Sequence, residues 1–374
     1  MPDPIPFEPD MPLGKNFVEV KDALLVPWGN QKVRGYKRAA GIFDATGAYV
    51  PEATCWRYHA EPATEPPEYE LMEAPDILAG RYLFGGILYS HFGHFICESL
   101  GRLWALDKLE MPVDGIVFFP KPNLTWPVKL TRTYLPFFAA LGSPDLKIEA
   151  PQKPVRIEHL IIAEHAFGLD EMAAGRPEFR AFMRENLGRG IAPEGPEKIY
   201  LSREKLAAKR GSILREDRLA TLLEQQGYAV FHPQDHAIDV QIARYKAARK
   251  IVSLDASPLH LAAMVVRPDC DVAILNRGPS QNIEDYLRQF RHFVGIEPTR
   301  IDAVTDFWAL KDGTLVRRET YSLLNFAAVG QALADTGFMQ SAVGWGELTD
   351  AEIAAEVERL EDRRQEPLKR HVFA

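Results

Sequence analysis

The chain has 374 residues, of which 46% are hydrophobic and 26% charged, the composition of an ordinary globular protein long enough for about two to three domains. Its 44 Lys and Arg against 52 Asp and Glu give a net charge of −8, which argues against a dedicated nucleic-acid binder, because phosphate contacts need a basic surplus. We find no run of the ~20 apolar residues that a membrane span needs and no leader pattern at the start. Three scattered cysteines exclude a disulfide framework and favour a reduced, cytoplasmic protein.

The first half of the chain predicts short strands and one long helix. Residues 1–75 carry many prolines and short strand-like runs, and we expect a loosely ordered entry segment packed on the first domain. Arg81–Leu88 predicts a strand, and the apolar period from Gly93 to Leu109 predicts a helix. The short apolar runs at 115–119 and 160–163 predict buried strands. The stretch at 188–196, rich in proline and glycine, predicts a linker.

Beyond residue 196, short strands alternate with helices over ~100 residues, which predicts a parallel sheet with helices on both faces. The predicted strands are 198–202, 228–231, 250–254 and 271–276, and the predicted helices are 215–226, 237–249, 258–266 and 283–293. Ligands of such sheets bind beyond the carboxyl ends of the strands. The residues that follow these strands are therefore candidates for a binding site.

The C-terminal part predicts a hairpin and two helices. Asp312-Gly313 is a tight-turn signal between strands at 308–310 and 314–317, and amphipathic helices are predicted at 321–335 and 349–364. Together with the linker, these patterns divide the chain into three parts: an N-terminal domain over 1–190, a Rossmann-like domain over 196–300, and a hairpin and helices over 301–374 that pack back on the domains.

The segment SHFGHFICESLGRLWAL carries the first candidate site. His94, Glu98 and Arg102 follow one another at i,i+4 spacing, so in one helix they line a single face. A carboxylate between a histidine and an arginine is a candidate general base toward a hydroxyl, with His94 positioning it or acting as the base itself. His91 and His94 lie at the helix start, where an anion is favoured. The alternative is a surface ladder of ion pairs, and zinc is not expected because no third ligand follows.

The second candidate site follows the strand KIYLS. Arg203, Lys205, Lys209 and Arg210 lie in the next loop, and four cations at the ligand-binding edge of a sheet favour a diphosphate clamp. The alternative is a solvated basic loop. Glu216 begins the following helix, where it complements the helix dipole or contacts a ligand.

The turn DASPLH begins another helix at the same edge of the predicted sheet. Its small residues allow a ligand close to the backbone, and a helix start with Pro258 at its first position presents N–H groups to a phosphate. Asp255 is a candidate acceptor from a ribose or sugar hydroxyl, or a helix cap, and Ser257 is the alternative cap. His260, one turn on, is a candidate phosphate donor or the partner of a buried carbonyl.

Taken together, these segments resemble glycosyltransferase family 61 over roughly residues 80–295. HFGHFICESLGRL is similar to the family motif N-x-G-H-[FW]-x-x-[DE]-x-x-x-R-L, and KIYLSREK, Arg215-Glu216 and DASPLHLAA correspond to its later motifs. His91 and Arg215 replace asparagines of the family pattern. The turn at 255–259 replaces the usual HGAAL and looks more like that of heptosyltransferase-type enzymes, which share the GT-B architecture.

The resemblance implies an α/β, GT-B-like fold: two Rossmann-like domains facing across a cleft, with C-terminal helices and the nucleotide sugar in the C-terminal domain. It implies an inverting, metal-independent hexosyl- or pentosyltransferase without a cofactor. Glu98 is then the first candidate for the base and His94 the second. The remaining site residues hold the donor nucleotide or support the site: Arg203, Lys209, Arg210, Asp255, Ser257 and His260 on the donor, and His91, Arg102 and Glu216 in support.

The resemblance also implies a nucleotide-sugar donor and a glycan or lipid-linked glycan acceptor, in bacterial capsular or other cell-surface polysaccharide synthesis. Such an acceptor is compatible with peripheral contact with the inner membrane and with a homo-oligomer. Trp345 and residues 338–343 are candidates for such a contact or for core packing.

Two other interpretations stay open. A pyruvyl- or phospho-sugar transferase on the same scaffold would bind phosphoenolpyruvate, and a non-catalytic nucleotide- or glycan-binding protein would bind without transfer. A dehydrogenase is disfavoured because no G-x-G-x-x-G follows a predicted strand.

Overall fold

The computed structural model describes residues 7–14, 17–29, 37–58, 61–68, 75–121, 127–278, 282–310 and 319–372. The chain forms a mixed α/β structure that divides into two compact units, Met1–Ile191 and Ala192–Ala374. The strands and helices of the first unit are β1 (Phe17–Val26), β2 (Arg38–Ala39), β3 (Gly41–Phe43), β4 (Trp56–Tyr58), β5 (Glu61–Pro62), β6 (Thr64–Glu65), β7 (Asp76–Leu88), β8 (Gly115–Pro120), β9 (Lys147–Glu149), β10 (Val155–Ala163), α1 (Phe92–His94), α2 (Pro127–Ala140) and α3 (Pro177–Asn186).

A six-stranded sheet of order β3-β1-β10-β7-β8-β9 organises the first unit. β10, β7, β8 and β9 run parallel, whereas β1 and β3 are antiparallel to their neighbours, so the sheet is mixed. The predicted strands at 81–88, 115–119 and 160–163 are confirmed as parts of β7, β8 and β10. The prediction of a loosely ordered entry segment is wrong for β1, which is an interior strand of the sheet. The strand-like runs on the two sides of Asp22 belong to this one strand, and Asp22 itself has a φ of 51°.

The single helix predicted from Gly93 to Leu109 is wrong. α1 runs into a π-helical turn at Phe95–Ser99, and a 3₁₀ helix follows at Leu103–Asp107. The break falls at Gly101, where a Cβ atom would lie 2.4 Å from the ring of His165. A regular helix face does not continue through a π-turn, so residues on either side of the break point in different directions.

The second unit contains a five-stranded parallel sheet of order β13-β11-β14-β15-β16 and a four-stranded sheet of order β12-β18-β17-β19. Its elements are β11 (Lys198–Leu201), β12 (Ser212–Ile213), β13 (Ala229–Phe231), β14 (Lys250–Leu254), β15 (Asp271–Leu275), β16 (Thr299–Ile301), β17 (Val304–Leu310), β18 (Tyr321–Leu324), β19 (Leu368–Val372), α4 (Glu216–Gln225), α5 (Ile238–Ala247), α6 (Pro258–Val265), α7 (Ile283–Val294), α8 (Phe326–Asp335) and α9 (Asp350–Arg364).

The predicted alternation of strands and helices beyond residue 196 is confirmed, with each predicted boundary within two residues of the observed one. All the pairings within the five-stranded sheet are parallel. The carboxyl ends of its strands therefore lie at one edge, as the sequence pattern requires.

The C-terminal prediction is correct for α9 and wrong at residues 321–324. These form β18, which pairs antiparallel with β17, and the helix begins only at Phe326, after Asn325 accepts a hydrogen bond from the backbone of Ala328. The predicted turn and second hairpin strand (311–317) lie outside the described residues. In the described ranges of the chain, no helix is both long and apolar enough to cross a membrane.

Trp345 belongs to the core of the second unit. It is buried together with Phe338, while Val343 is 86% exposed. The ring of Trp345 lies directly over Gly330 in α8, where a Cβ atom would approach Trp345 Cγ to 2.6 Å. Core packing therefore accounts for the two aromatic residues of this stretch.

We expect Gly330→Ala to destabilise the protein. The added methyl group gains up to about 1 kcal/mol of helix propensity, but overpacking against a rigid indole costs about 1–3 kcal/mol. Urea denaturation measures the net loss. Gly346→Ala is the control, because its Cβ meets only Arg218 Nη2, at 3.8 Å. Equal stability of the two variants would contradict the described packing.

Candidate functional site

His94 and Glu98 form an acid–base pair in the first unit. The Nδ1 atom of His94, at the end of α1, contacts Oε2 of Glu98 in the π-helical turn. The Glu98 side chain is only 2% exposed, whereas that of His94 is 33% exposed. Because Nδ1 is engaged with the carboxylate, Nε2 is the ring nitrogen left to exchange a proton with a ligand.

Arg57, from β4, supplies the positive charge beside this pair. Its Nη1 lies 3.8 Å from Glu98 Oε1, and although burial lowers the pKa of Arg57, the neighbouring Glu98 charge gives a net rise. The ring of Tyr89 lies 5.5 Å from that of His94. Burial, followed by the Glu98 charge, raises the pKa of Tyr89 well above its usual value, so Tyr89 stays a neutral phenol. Oε1 of Glu98 is buried without a hydrogen-bond partner among the described residues.

The expected alignment of Arg102 with His94 and Glu98 is wrong. The arginine is 1% exposed, and its Nη2 donates to the backbone oxygens of Glu52, at 3.2 Å, and Thr54, at 2.8 Å. The break in the helix turns its side chain into the core. Arg102 therefore anchors a neighbouring loop of the first unit instead of orienting the carboxylate.

His91 lies just before α1, exposed, with its ring 5.2 Å from that of His94. α1 has only three residues, so the helix-dipole argument for an anion at this position does not apply. The sequence pattern does not point to Arg57, because Arg57 lies 41 positions before Glu98, on a three-residue strand that carries no local signal.

Glu216 joins three elements of the second unit. It is 5% exposed, and its Oε1 accepts from the hydroxyl of Tyr200 at 3.1 Å, the hydroxyl of Ser202 at 3.0 Å and the backbone N–H of Arg203 at 2.5 Å. Oε2 accepts from the hydroxyl of Ser212. This carboxylate therefore ties the end of β11 to β12 and to the start of α4, which goes beyond the expected complement to the helix dipole.

Arg203 is the cation that this junction positions. Its Nη2 donates to the carbonyls of Arg210 and Gly211, each at 3.1 Å, and closes its own loop, while Nε is buried without a partner in the described part of the chain. Burial, followed by the charge of Arg277, lowers the pKa of Arg203 to about 10. The guanidinium therefore stays charged at neutral pH.

The expected clamp of four cations is wrong in its geometry. Lys205 lines the same cleft as Arg203 and pairs with Asp235 at 3.0 Å. Lys209 instead pairs with Glu366 at 3.4 Å, and Arg210 is exposed. The structure therefore brings Arg203 and Lys205 to one surface and leaves Lys209 and Arg210 outside it.

Asp255 and Arg277 form a buried ion pair at the same sheet edge. Asp255 is 2% exposed, and Nε of Arg277 lies 3.1 Å from its Oδ1, while the backbone N–H of Arg277 donates to the same oxygen at 3.2 Å. Burial raises the pKa of Asp255 although Arg277 and Arg203 oppose the rise. Arg277 was missed by the sequence analysis, although a basic residue just after a predicted strand was an available signal.

Ser257 does not cap α6, whereas His260 is the partner of a buried carbonyl oxygen, one of the two roles expected for it. Ser257 precedes α6 with helical φ and ψ, and no side chain in the described structure caps this helix. Nδ1 of His260 lies 2.8 Å from Oε1 of Gln289 in α7, and its ring is 4.6 Å from that of Tyr286. The expected caps are therefore wrong, and His260 belongs to the packing of α6 against α7.

A cleft of ≈ 960 Å³ opens within the second unit, between the loop that begins at Arg203, the start of α4, and α9. Arg359 and Arg363 of α9 lie on its wall. The charge pattern of α9 by itself predicts only a solvated surface helix. Arg215, also on the wall, has a left-handed backbone with φ 54° and ψ 47°, which asparagine adopts more readily.

Among the described residues, no group of three or more His, Cys, Asp and Glu side chains is arranged to hold a metal ion.

We expect Arg102→Ala to lower the free energy of unfolding by about 3 kcal/mol, because it removes a buried side chain and leaves two backbone carbonyls unpaired. Chemical denaturation measures the loss. Arg156→Ala is the control, since Arg156 makes an exposed ion pair with Asp22 at 3.1 Å and such pairs contribute about 1 kcal/mol or less. A loss no larger than that of the control would show that Arg102 is not an anchor.

Residues 92–273 match the family model Glycosyltransferase 61, and no significant match was found among curated proteins. The matched segment begins in α1 and ends in β15, so it includes His94, Glu98, Arg203, Glu216 and Asp255. The members of this family are glycosyltransferases. Over this segment, which is just under half of the chain, the protein is similar to glycosyltransferase family 61.

Proposed function

We propose that the protein is an inverting, metal-independent glycosyltransferase that moves a hexosyl or pentosyl group from a nucleotide sugar to a hydroxyl of a glycan or lipid-linked glycan. The observation that carries the proposal is the His94–Glu98 pair, a proton acceptor backed by a buried carboxylate, within the segment that matches the family. The proposal includes a cytoplasmic location, peripheral at the inner membrane, and a role in bacterial capsular or other cell-surface polysaccharide synthesis.

His94 is the better candidate for the base in this proposal, in place of Glu98. A base must come within hydrogen-bond reach of the acceptor hydroxyl, and the carboxylate is 2% exposed with Oε2 already engaged. The Nε2 atom of His94 takes the proton, while Glu98 fixes the ring and stabilises the imidazolium that forms, as the carboxylate does in a serine-protease triad. Arg57 balances the carboxylate when the imidazole is neutral.

The transfer is a single displacement. The acceptor oxygen loses its proton to His94 and forms a bond to the anomeric carbon, while the bond from that carbon to the diphosphate oxygen breaks on the opposite face. The bonding pair leaves with the diphosphate, so the anomeric configuration inverts. Cations are needed where this negative charge develops, and Arg203, charged at neutral pH, is the group that we assign to it.

We expect His94→Ala to reduce kcat for sugar transfer by about 10²–10⁴-fold, the usual contribution of a general base, and Glu98→Gln to reduce it by a smaller factor. Both variants keep the nucleotide affinity within a few-fold, because Arg203 and its cleft belong to the second unit. Nucleotide release from the donor in the presence of a glycan acceptor panel measures kcat, and calorimetry measures affinity. His159→Asn, a half-buried histidine in β10, is the control.

Other outcomes separate the alternatives. Near-normal turnover of His94→Ala with an inactive Glu98→Gln would make Glu98 the base. Nucleotide binding by the unchanged protein with no transfer to any acceptor would favour a binding protein. Binding of phosphoenolpyruvate in place of nucleotides would favour a pyruvyltransferase.

A further inference from the structure

We propose that Arg277 is the second guanidinium of an anion site that it forms with Arg203, and that Asp255 is the residue that positions it, so that the site takes two linked phosphate groups in preference to one. Arg277 lies outside the segment that matches the family. The inference deepens the proposed function and rests on it for the nucleotide to which these phosphates are attached.

The topology brings the three side chains to one edge. β11, β14 and β15 are consecutive neighbours in the parallel sheet, and Arg203, Asp255 and Arg277 each follow one of them within two residues. Adjacent strands lie about 4.8 Å apart, so the two arginines start from strands about 10 Å apart with the aspartate between them. Such a spacing lets two guanidinium groups converge on one small polyanion.

The two guanidinium groups of this cluster repel each other. The charges of both arginines act on Asp255, and the charge of Arg277 helps burial to lower the pKa of Arg203, although the carboxylates of Glu216 and Asp255 oppose the fall. Repulsion between like charges is costly where burial has removed water. A polyanion bound between the two arginines offsets this cost, which a neutral ligand does not.

The hydrogen-bonding pattern leaves donors for such a ligand. Arg277 contacts Asp255 through Nε, so the two Nη nitrogens at the end of its fork are the ones left to face an anion. On the other side, Nε of Arg203 is buried without a partner among the described residues. Guanidinium groups form paired, directional hydrogen bonds to phosphate oxygens that lysine does not reproduce.

Asp255 acts through Arg277 in this arrangement. Its Oδ1 accepts from the backbone N–H of Arg277 and lies 3.1 Å from Nε, and Nε donates to the backbone carbonyl of Asp255, which fixes the guanidinium relative to the strand that carries it. The expected role of Asp255 as a direct ligand of a sugar hydroxyl is therefore confined to Oδ2, which is buried without a partner in the described ranges.

Calorimetric titration of the full chain with inorganic diphosphate and with orthophosphate, both in EDTA, tests the proposal. We expect the unchanged protein to bind diphosphate at least about tenfold more tightly than orthophosphate. Arg277→Lys keeps the charge but loses the fork, and we expect it to weaken diphosphate binding about tenfold and to reduce the preference. Arg267→Lys is the control, because Arg267 is an exposed arginine of the same unit that pairs with Asp269 at 2.8 Å.

A double variant distinguishes the loss of the anion site from misfolding. Removal of Arg277 alone leaves Asp255 buried without its partner, whereas Arg277→Gln combined with Asp255→Asn removes both charges together. We expect the double variant to lose diphosphate affinity at least as much as Arg277→Lys does. Unchanged diphosphate binding in both variants, or equal affinity of the unchanged protein for the two anions, would overturn the proposal.

Diphosphate binding requires no sugar, acceptor or base, so this experiment fails independently of the proposed function. Arg277-dependent diphosphate binding in a protein that transfers no sugar would support the anion site and contradict the glycosyltransferase proposal. Normal sugar transfer by Arg277→Lys, with unchanged diphosphate affinity, would contradict the anion site alone.

Discussion

The buried carboxylate of Glu216 is the interaction on which the position of Arg203, and with it the proposed anion site, depends. A carboxylate removed from water is tolerated only where hydrogen bonds replace the lost solvation, and this one accepts four, from Tyr200, Ser202, Ser212 and the backbone of Arg203. Because one donor is the backbone of Arg203, the position of that arginine is set by a residue thirteen positions later in the chain. The same carboxylate joins the two sheets of the second unit through β11 and β12.

Both units use a buried acid to orient a group that can meet a ligand. Glu98 lies behind the more exposed His94, and Asp255 holds Arg277 at the edge of the parallel sheet. Burial of a charge is costly unless a partner of opposite charge and further hydrogen bonds compensate it. Buried charges occur at sites where the orientation of a side chain matters more than its contribution to stability. In the proposed displacement reaction, we assign the proton acceptor to the first cluster and the cations for the leaving group to the second.

The sequence predicts the second unit well and the first unit in part, for physical reasons. Strands and helices alternate regularly beyond residue 196, and the carboxyl-end rule for parallel sheets found Arg203 and Asp255; applied to β15, it would also have found Arg277. The helix predicted from Gly93 to Leu109 failed because the break at Gly101 comes from close packing against His165, a contact distant in sequence. Helical periodicity holds no information about such contacts, nor about the pairing of β18 with β17, which turned the first residues of a predicted helix into a strand.

In the proposed reaction, guanidinium groups, not a metal ion, hold and activate the diphosphate of a nucleotide sugar. Calorimetric titration of the purified protein with UDP-, GDP-, CMP- and dTDP-linked sugars and their free nucleotides, with and without EDTA, tests this assignment most directly. We expect one nucleoside diphosphate series to bind, with a Kd that EDTA leaves unchanged within error. Binding that disappears in EDTA, or no binding of any nucleotide in the presence of divalent cations, would contradict it.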